Sequence, residues 1–329
     1  MGVLLVLVSA TAFGAMAVFG KLAYGEGVTP QALVLVRFVL AAVLLCSLVT
    51  TLAARSGRPA VPTPATGSRT RLVVVALALG ALGYATQATL YFAALERIDA
   101  SLVALVLYTF PTIVTIAAIL LGRERATLPR LVALAVASAG TLLVLLGAGG
   151  VRFDVLGVTY AFGAALTYSV YILVGDTTVR QLPPLTLTAV VMTGAALTHA
   201  VRAAVTGGVD LGFTAAGWFW IACVAVVSTV VASTAFFAGL RRVGPSTAAI
   251  LSMFEPVATV TLATVVLGES LAPLQLAGGL LVLSSIALVQ RRRPGRGGRA
   301  TPHPQSRTDV RATTNTRRKG STTPRPSSG

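Results

Sequence analysis

Glu255 has the clearest chemical consequence in this sequence, because its carboxyl group lies about ten residues inside a long apolar run. A charged side chain at the centre of a bilayer costs about 2.5–3.5 kcal/mol on insertion scales, so Glu255 must face the protein interior or carry a proton. The adjacent Pro256 has no backbone N–H, so a helix is expected to bend here. We consider two roles for Glu255: substrate contact or proton coupling, and pairing with an interior polar group.

Arg37 is the only other charged residue well inside an apolar run. Its guanidinium could pair with Glu255 or bind an anionic group of a solute. Alternatively, the long side chain could extend to the nearer layer of lipid headgroups.

Polar and aromatic residues recur at helical spacing in four of the apolar runs. These stripes are Tyr84, Gln87 and Tyr91; Tyr108, Thr112 and Thr115; Tyr160, Thr167 and Tyr171; and Ser252, Glu255 and Thr259. They predict one shared cavity, and interhelical hydrogen bonding is the alternative. Pro111 is expected to break its helix as Pro256 does. The predicted substrate-binding residues are Arg37, Tyr84, Gln87, Tyr91, Tyr108, Thr112, Tyr171, Ser252 and Glu255.

The elements that position these residues are long apolar segments. Hydrophobic residues make up 55% of the 329 residues and charged residues 11%, whereas soluble domains carry about 25% charged residues. A bilayer core about 30 Å thick needs about 20 apolar residues, and each span must be helical because lipid offers no hydrogen-bond partners. The sequence predicts an all-α integral membrane protein with about ten transmembrane helices. The predicted spans are residues 3–24, 30–53, 71–94, 100–121, 130–149, 155–175, 184–202, 213–239, 245–267 and 272–290.

The net charge of +16 is concentrated where it can orient the protein in a membrane. Eleven of the 26 Lys and Arg residues follow residue 290, in a tail with one acidic residue, Asp309. We predict that residues 291–329 are disordered. Basic residues also flank alternate connections, which favours a multi-pass cell-membrane protein with both termini cytoplasmic and argues against nucleic-acid binding. The basic residues assigned to the inner side are Arg55, Arg58, Arg69, Arg71, Arg123, Arg125, Arg130, Arg180, Arg241 and Arg242, against Lys21, Arg97, Arg152 and Arg202 outside.

An internal repeat appears when the chain is shifted by 145 residues. Pro111 then matches Pro256, and Glu124 matches Glu269. We predict five-helix repeats at 1–149 and 150–290, followed by the basic tail at 291–329. Because five is odd, the second repeat enters the membrane inverted, which is typical of alternating-access transporters.

These motifs resemble the EamA family of the drug/metabolite transporter superfamily. The most specific segments are Pro111 with Leu121-Gly122-Arg123-Glu124, and Phe254-Glu255-Pro256 with Leu267-Gly268-Glu269; Arg37 also fits. The resemblance covers residues 3–290 and implies ten helices in two inverted repeats, with solute export or uptake. One departure is Ala12-Phe13-Gly14, where a Trp-Gly pair is common, so a tryptophan contact to substrate would be missing.

The motifs of ATP-driven pumps and of membrane enzymes are absent from the sequence. The nearest match to a phosphate-binding loop, Gly14 to Gly20-Lys21-Leu22, is one residue too long and lacks the hydroxyl. With only two histidines and scattered acids, we predict no catalytic residues, metal or cofactor. We expect a secondary transporter that exports a small polar or amphipathic metabolite, amino-acid-like or drug-like, with membrane lipids and protons as further partners. A channel or lipid-linked flippase on the same fold is the alternative, with a membrane-embedded enzyme as a distant third. The sequence leaves the oligomeric state open.

Overall fold

The computed structural model describes residues 1–57, 59–61, 68–95, 97–98, 100–147, 154–268 and 272–291, and these residues contain helices but no strand. The predicted disorder of the basic tail after residue 291 lies outside the described residues, as do Arg58, Arg152 and Glu269.

The first half of the chain forms five helices, two of which are irregular. They are α1, Gly2–Gly25; α2, Pro30–Ser56; α3, Arg69–Ala78 continued by a π-helical turn at Leu79–Tyr84 and by Ala85–Leu95; α4, Ala100–Leu107 and Phe110–Leu120; and α5, Leu128–Leu146.

The second half repeats this order. Its helices are α6, Val155–Val179; α7, Pro184–Val205; α8, Ala215–Ala225 continued by a π-helical turn at Val226–Val231 and by Ala232–Val243; α9, Pro245–Ser252 and Glu255–Leu267; and α10, Pro273–Arg291. Thus α3 and α8 both contain a π turn, and α4 and α9 are both interrupted.

The described helices confirm the predicted all-α membrane fold. Nine are long and apolar enough to cross a bilayer, with mean hydropathy of 1.4 to 2.7, and the apolar part of α10, Pro273–Leu288, is shorter. Large apolar side chains such as Leu120, Val205 and Leu280 are 81%, 80% and 68% exposed. Lipid, and not water, is the solvent that such a surface requires.

Local sequence explains where several helices begin and end. The Thr29 side chain accepts a hydrogen bond from the Ala32 N–H, with Pro30 at the first helical turn, and Asp154 caps α6 in the same way. Two helices end at glycines with positive φ, Gly57 and Gly268, a conformation that carries a penalty for other residues.

Contacts between the two halves of the bundle occur in equivalent pairs. Helix α1 packs on α8 and α9 as α6 packs on α3 and α4, and α2 contacts α8 as α7 contacts α3. The remaining large contacts join helices at equivalent positions, namely α2 with α7, α5 with α10 and α4 with α9. Helices at equivalent positions in the two halves of the chain therefore make equivalent contacts.

Glycines allow two helix pairs to approach at backbone distance. A Cβ on Gly140 of α5 would lie 2.7 Å from the Gly278 carbonyl oxygen of α10. On α3 and α7, a Cβ on Gly80 or Gly194 would overlap the carbonyl group of Val191 or Leu77. Small residues are the usual means of close helix association in lipid.

Successive helices run in opposite directions, so helix ends lie at two faces of the bundle. We name one of them the α1–α2 face, after the helices that are connected there. The α1–α2 face contains the end of α1 and the start of α2, and the opposite face contains the end of α2 and the start of α3. Met1 and the end of α10 lie on the opposite face, whereas Gly157 near the start of α6 lies beside Arg97 and Ile98 at the α1–α2 face.

Candidate functional site: a central charged cavity

The interruptions of α4 and α9 lie at matching positions in the two repeats. Helix α4 is broken at Tyr108-Thr109 and α9 at Met253-Phe254, and each second segment has its proline, Pro111 or Pro256, in the first turn. A proline cannot donate its backbone hydrogen bond, and its ring clashes with the carbonyl four residues earlier, so the helix stops upstream of it. Both breaks lie within the spans and not at their ends.

Glu255 is the first residue of the second segment of α9. A carboxylate at a helix N-terminus is favoured by the helix dipole, so the break provides part of its stabilisation. Tyr108, at the break of α4, lines the same cavity as Glu255, so the two helix breaks border one space.

Gly14 brings α1 directly against the break in α9. A Cβ at Gly14 would lie 3.0 Å from both the Glu255 carbonyl oxygen and the Thr259 backbone nitrogen. The Thr259 hydroxyl donates to the Gly14 carbonyl at 3.2 Å and to the Glu255 carbonyl at 3.0 Å. These contacts fix the backbone beside the Glu255 carboxyl group.

Arg37 is held inside the protein, with only 3% of its surface exposed. Its Nη1 donates to the sulfur of Met16, and its guanidinium lies 4.5 Å from the centre of the Phe38 ring. The structure therefore gives no support to extension toward the headgroups. Among the described residues no ion pair within 4.0 Å joins Arg37 to Glu255, and the Arg37 Nε has no hydrogen-bond partner there.

A chain of aromatic contacts connects the two charged regions. Phe38 lies edge-on to Tyr84 at 5.1 Å, Tyr84 contacts Tyr171 at 5.4 Å, and Tyr171 stacks on Tyr168 at 5.8 Å. The chain continues from Tyr168 to Phe110 at 4.8 Å. Ser233 of α8 lines the same cavity as Tyr84.

These residues surround one cavity of about 480 Å³. Of the predicted binding residues, seven line it: Arg37, Tyr84, Gln87, Tyr91, Tyr108, Tyr171 and Glu255, with Pro256 beside them. The charged residues come from different repeats, Arg37 from α2 and Glu255 from α9.

The cavity extends from the middle of the bundle toward the α1–α2 face. It is lined by the second half of α1, by the beginnings of α2 and α4, and by the later part of α3. Ligand pockets for small molecules commonly measure 300–1,000 Å³, so the volume suits a metabolite.

Side-chain contacts hold the helices together at the opposite face. Arg123 Nη1 donates to the Leu173 carbonyl at 2.7 Å, and Arg130 Nη1 lies 3.1 Å from Glu124 Oε2. A Cβ at Gly244 would lie 2.6 Å from Glu124 Oε1, so this carboxylate lies against the α8–α9 connection. The cavity thus extends toward one face, and these contacts join helices at the other.

A comparison with known protein families identifies the family of this chain. The model of the EamA-like transporter family matches residues 1–146 and again residues 155–291. The chain belongs to the EamA-like transporter family. It is therefore a multi-pass membrane transporter, and no enzyme activity is indicated by the family or by the relatives.

Relatives of this EamA-like protein are named as transporters too. An uncharacterized transporter, YcbK, of Bacillus subtilis (strain 168) is 24% identical over 284 residues, covering 84% of this chain and 88% of the relative. An uncharacterized transporter of Archaeoglobus fulgidus is 25% identical over 218 residues, covering 65% and 76%. A solved crystal structure superimposes with a TM-score of 0.72 at 17% identity, over 88% of this chain and 97% of the other, which shows a shared fold.

Two of the predicted binding residues, Thr112 and Ser252, do not line the cavity of the EamA-like protein. Pro111, predicted to break its helix, lies in the first turn after the interruption of α4. The Ser252 hydroxyl donates to the Ala248 carbonyl at 2.9 Å. Hydroxyl groups in apolar helices commonly bond the carbonyl one turn back, so the Ser252 hydroxyl is satisfied within α9.

Several lining residues were missed by the sequence analysis. Tyr168 precedes Tyr171 by three residues and so shares its face, a signal that the spacing of Tyr160 and Thr167 obscured. Phe13 lies where the family commonly has tryptophan, so an aromatic side chain does reach the cavity from α1. No local pattern marked Tyr24, Ser233 or Phe236, which the fold alone brings to the cavity.

Proposed function

We propose that this protein is a secondary carrier that exports a small amphipathic metabolite across the cell membrane by alternating access. The observation that best supports this proposal is the central cavity, which contains a buried arginine and a carboxyl group among aromatic side chains. A solute with an anionic group, a polar or cationic group and an apolar body is complementary to such a cavity.

The packing of the bundle supports a carrier in preference to a channel. The cavity opens toward the α1–α2 face, and the contacts of Arg123 and Glu124 close the other end. We propose that the units at 1–149 and 150–290 are inverted repeats that exchange conformations, so that the opening moves to the opposite face.

The distribution of arginines supports an orientation. Arg55, Arg69, Arg130, Arg180 and Arg241 all follow or precede helix ends at the opposite face. By the positive-inside rule this face is cytoplasmic, with both termini and the basic tail at 291–329. In this orientation the described conformation is open to the outside.

Glu255 is the residue proposed to couple transport to protons. It is the only carboxyl group among the described residues that line the cavity, and intramembrane carboxyls often relay protons in transporters. Protonation and substrate binding would then compete for the same group.

The test begins with a comparison of metabolites inside and outside cells with and without the gene. The compound that changes is then measured for saturable transport by purified protein in liposomes. Ala17→Trp provides the blocked protein, because Ala17 lines the cavity and is exposed to it, so a large ring there fills the cavity without displacing packed atoms.

Val265→Trp is the matched control, since Val265 is 76% exposed on the outer surface of α9. We expect transport to be lost in Ala17→Trp and retained in Val265→Trp. Flux that rises linearly with concentration would indicate a channel, and equal transport by the two variants would place the substrate path elsewhere.

A further inference from the structure

A second cavity, here called the side cleft, lies at the α1–α2 face beside the central cavity. Its volume is about 350 Å³. It is formed by the end of α1, the start of α2 and the ends of α3 and α7. Its lining residues with polar side chains are Tyr24, Gln31, Thr89, His199, Arg202 and Thr206.

The described lining of the side cleft carries a positive charge on Arg202. Arg202 and His199 contribute basic groups, and no carboxylate is among the described lining residues. Arg202 Nη1 lies 3.5 Å from the Thr89 hydroxyl, a weak contact that leaves most of its donors available. A cleft that carries charge of one sign concentrates ligands of the opposite sign.

The environment of the His199 side chain indicates that the side cleft binds a ligand. Its side chain is only 7% exposed, it lines the cleft, and its Nε2 has no hydrogen-bond partner among the described residues. A buried polar atom without a partner is destabilising. The neutral His199 ring with its proton on Nε2 would donate to an oxyanion in the cleft and so satisfy this atom.

Two contacts connect the side cleft to the central cavity. Tyr24 lines both. In addition, the His199 ring stacks on Phe38 with centres 5.3 Å apart and planes at 10°, and Phe38 also contacts the Arg37 guanidinium. The Arg202 guanidinium at the rim, the His199 ring and the Arg37 guanidinium inside therefore follow one another.

We propose that the side cleft is a second binding site, which holds the carboxylate of an amphipathic solute between Arg202 and His199 on its path past Tyr24. The identification of this ligand with the transported solute rests on the proposed function. The binding site itself does not, because it can be measured without transport. A phosphate of a lipid headgroup offers the same chemistry, so the experiment separates the two sources.

Binding is measured with phenylacetate as the probe, by calorimetry on the full-length Ala17→Trp protein, in which the central cavity is filled. We expect phenylacetate to bind and its uncharged amide to bind at least about tenfold more weakly, since a hydrogen bond between charged groups contributes about 1.5–3 kcal/mol. Arg202→Gln and His199→Gln should each weaken phenylacetate binding by a similar factor.

Arg97→Gln is the control, since Arg97 lies at the same face, is 45% exposed and lines neither cavity. The proposal is overturned if phenylacetate does not bind Ala17→Trp, or if Arg202→Gln and His199→Gln bind it as Arg97→Gln does. In nanodiscs, displacement of phenylacetate by phosphatidylglycerol but not phosphatidylcholine would assign the cleft to lipid and also overturn it. If the wild-type protein in liposomes transports no metabolite while the cleft still binds phenylacetate, only the proposed function is refuted.

Discussion

At the scale of single residues, Glu255 separates solute binding from proton coupling. Glu255→Gln keeps the size and hydrogen-bonding capacity of the side chain but cannot release a proton. We expect transport by this variant to lose its response to an imposed pH gradient, measured as substrate flux in liposomes at two internal pH values.

The matched control for that experiment is Ser252→Ala, one turn earlier in α9. Because the Ser252 hydroxyl bonds its own helix and does not line the cavity, its transport and pH response should match the wild type. An undiminished pH response in Glu255→Gln would assign coupling to another group.

Helical periodicity predicted much of this site, because a stripe of polar residues three or four apart must share a face. Gln87 and Tyr108 were selected in this way, whereas Arg37 was selected as a charged residue inside an apolar run. Periodicity could not predict that Ser252 would satisfy its hydroxyl within its own helix. It also could not find Ser233, whose position depends on how α8 packs against α3.

At the scale of helices, close packing at glycine is the feature most open to measurement. Gly80→Ala should lower the free energy of unfolding by about 1–3 kcal/mol, because its methyl group would overlap the Val191 carbonyl and α3 would have to move from α7. Thermal unfolding of the purified protein in detergent provides the measurement.

Gly279→Ala is the control for helix packing, since a Cβ there would meet only Val257 Cγ1, at an ordinary 3.6 Å. Its melting temperature should equal or exceed that of the wild type, because alanine is the better helix former. Equal loss in the two variants would show that the α3–α7 contact is not critical.

The helix spans were predictable to within a few residues, and the breaks at Tyr108-Thr109 and Met253-Phe254 follow from the nearby prolines. The π turns at Leu79–Tyr84 and Val226–Val231 were not predicted. Such a turn adds one residue to the ring closed by a hydrogen bond, and no residue type in these segments requires it.

At the scale of the whole molecule, the contacts at the opposite face should control which side of the cavity is open. Glu124→Gln weakens the interaction with Arg130 and should increase the population open to that face. A cysteine placed at Ser233, in protein with Cys46 and Cys223 replaced by serine, should then react faster with an impermeant thiol reagent from that side.

Asp154→Asn is the control for this experiment, because it weakens an exposed ion pair with Arg97, of 3.6 Å, at the α1–α2 face. Exposed pairs contribute about 0–1 kcal/mol, so labelling from the opposite face should not rise. If Glu124→Gln behaves like Asp154→Asn, the closure depends on other contacts.

The basic tail gives a second prediction at this scale. A chain that ends after residue 295 should transport at the wild-type rate, because the family match ends at residue 291 and the cavity needs no residue beyond it. Flux and correct insertion are measured together, and lost flux in an inserted truncation would give the tail a direct role.

Phe110 and Glu255 occupy the same position in their repeats, one residue before the matching prolines. Two identical halves would place either a pair of carboxyl groups or a pair of phenyl rings around the cavity. The first pair would repel each other in a dry interior, and the second would leave no titratable group. A single chain whose two halves differ in sequence can therefore place one carboxyl group, Glu255, at one position and an apolar ring, Phe110, at the equivalent position. A dimer of two identical half-length chains could not.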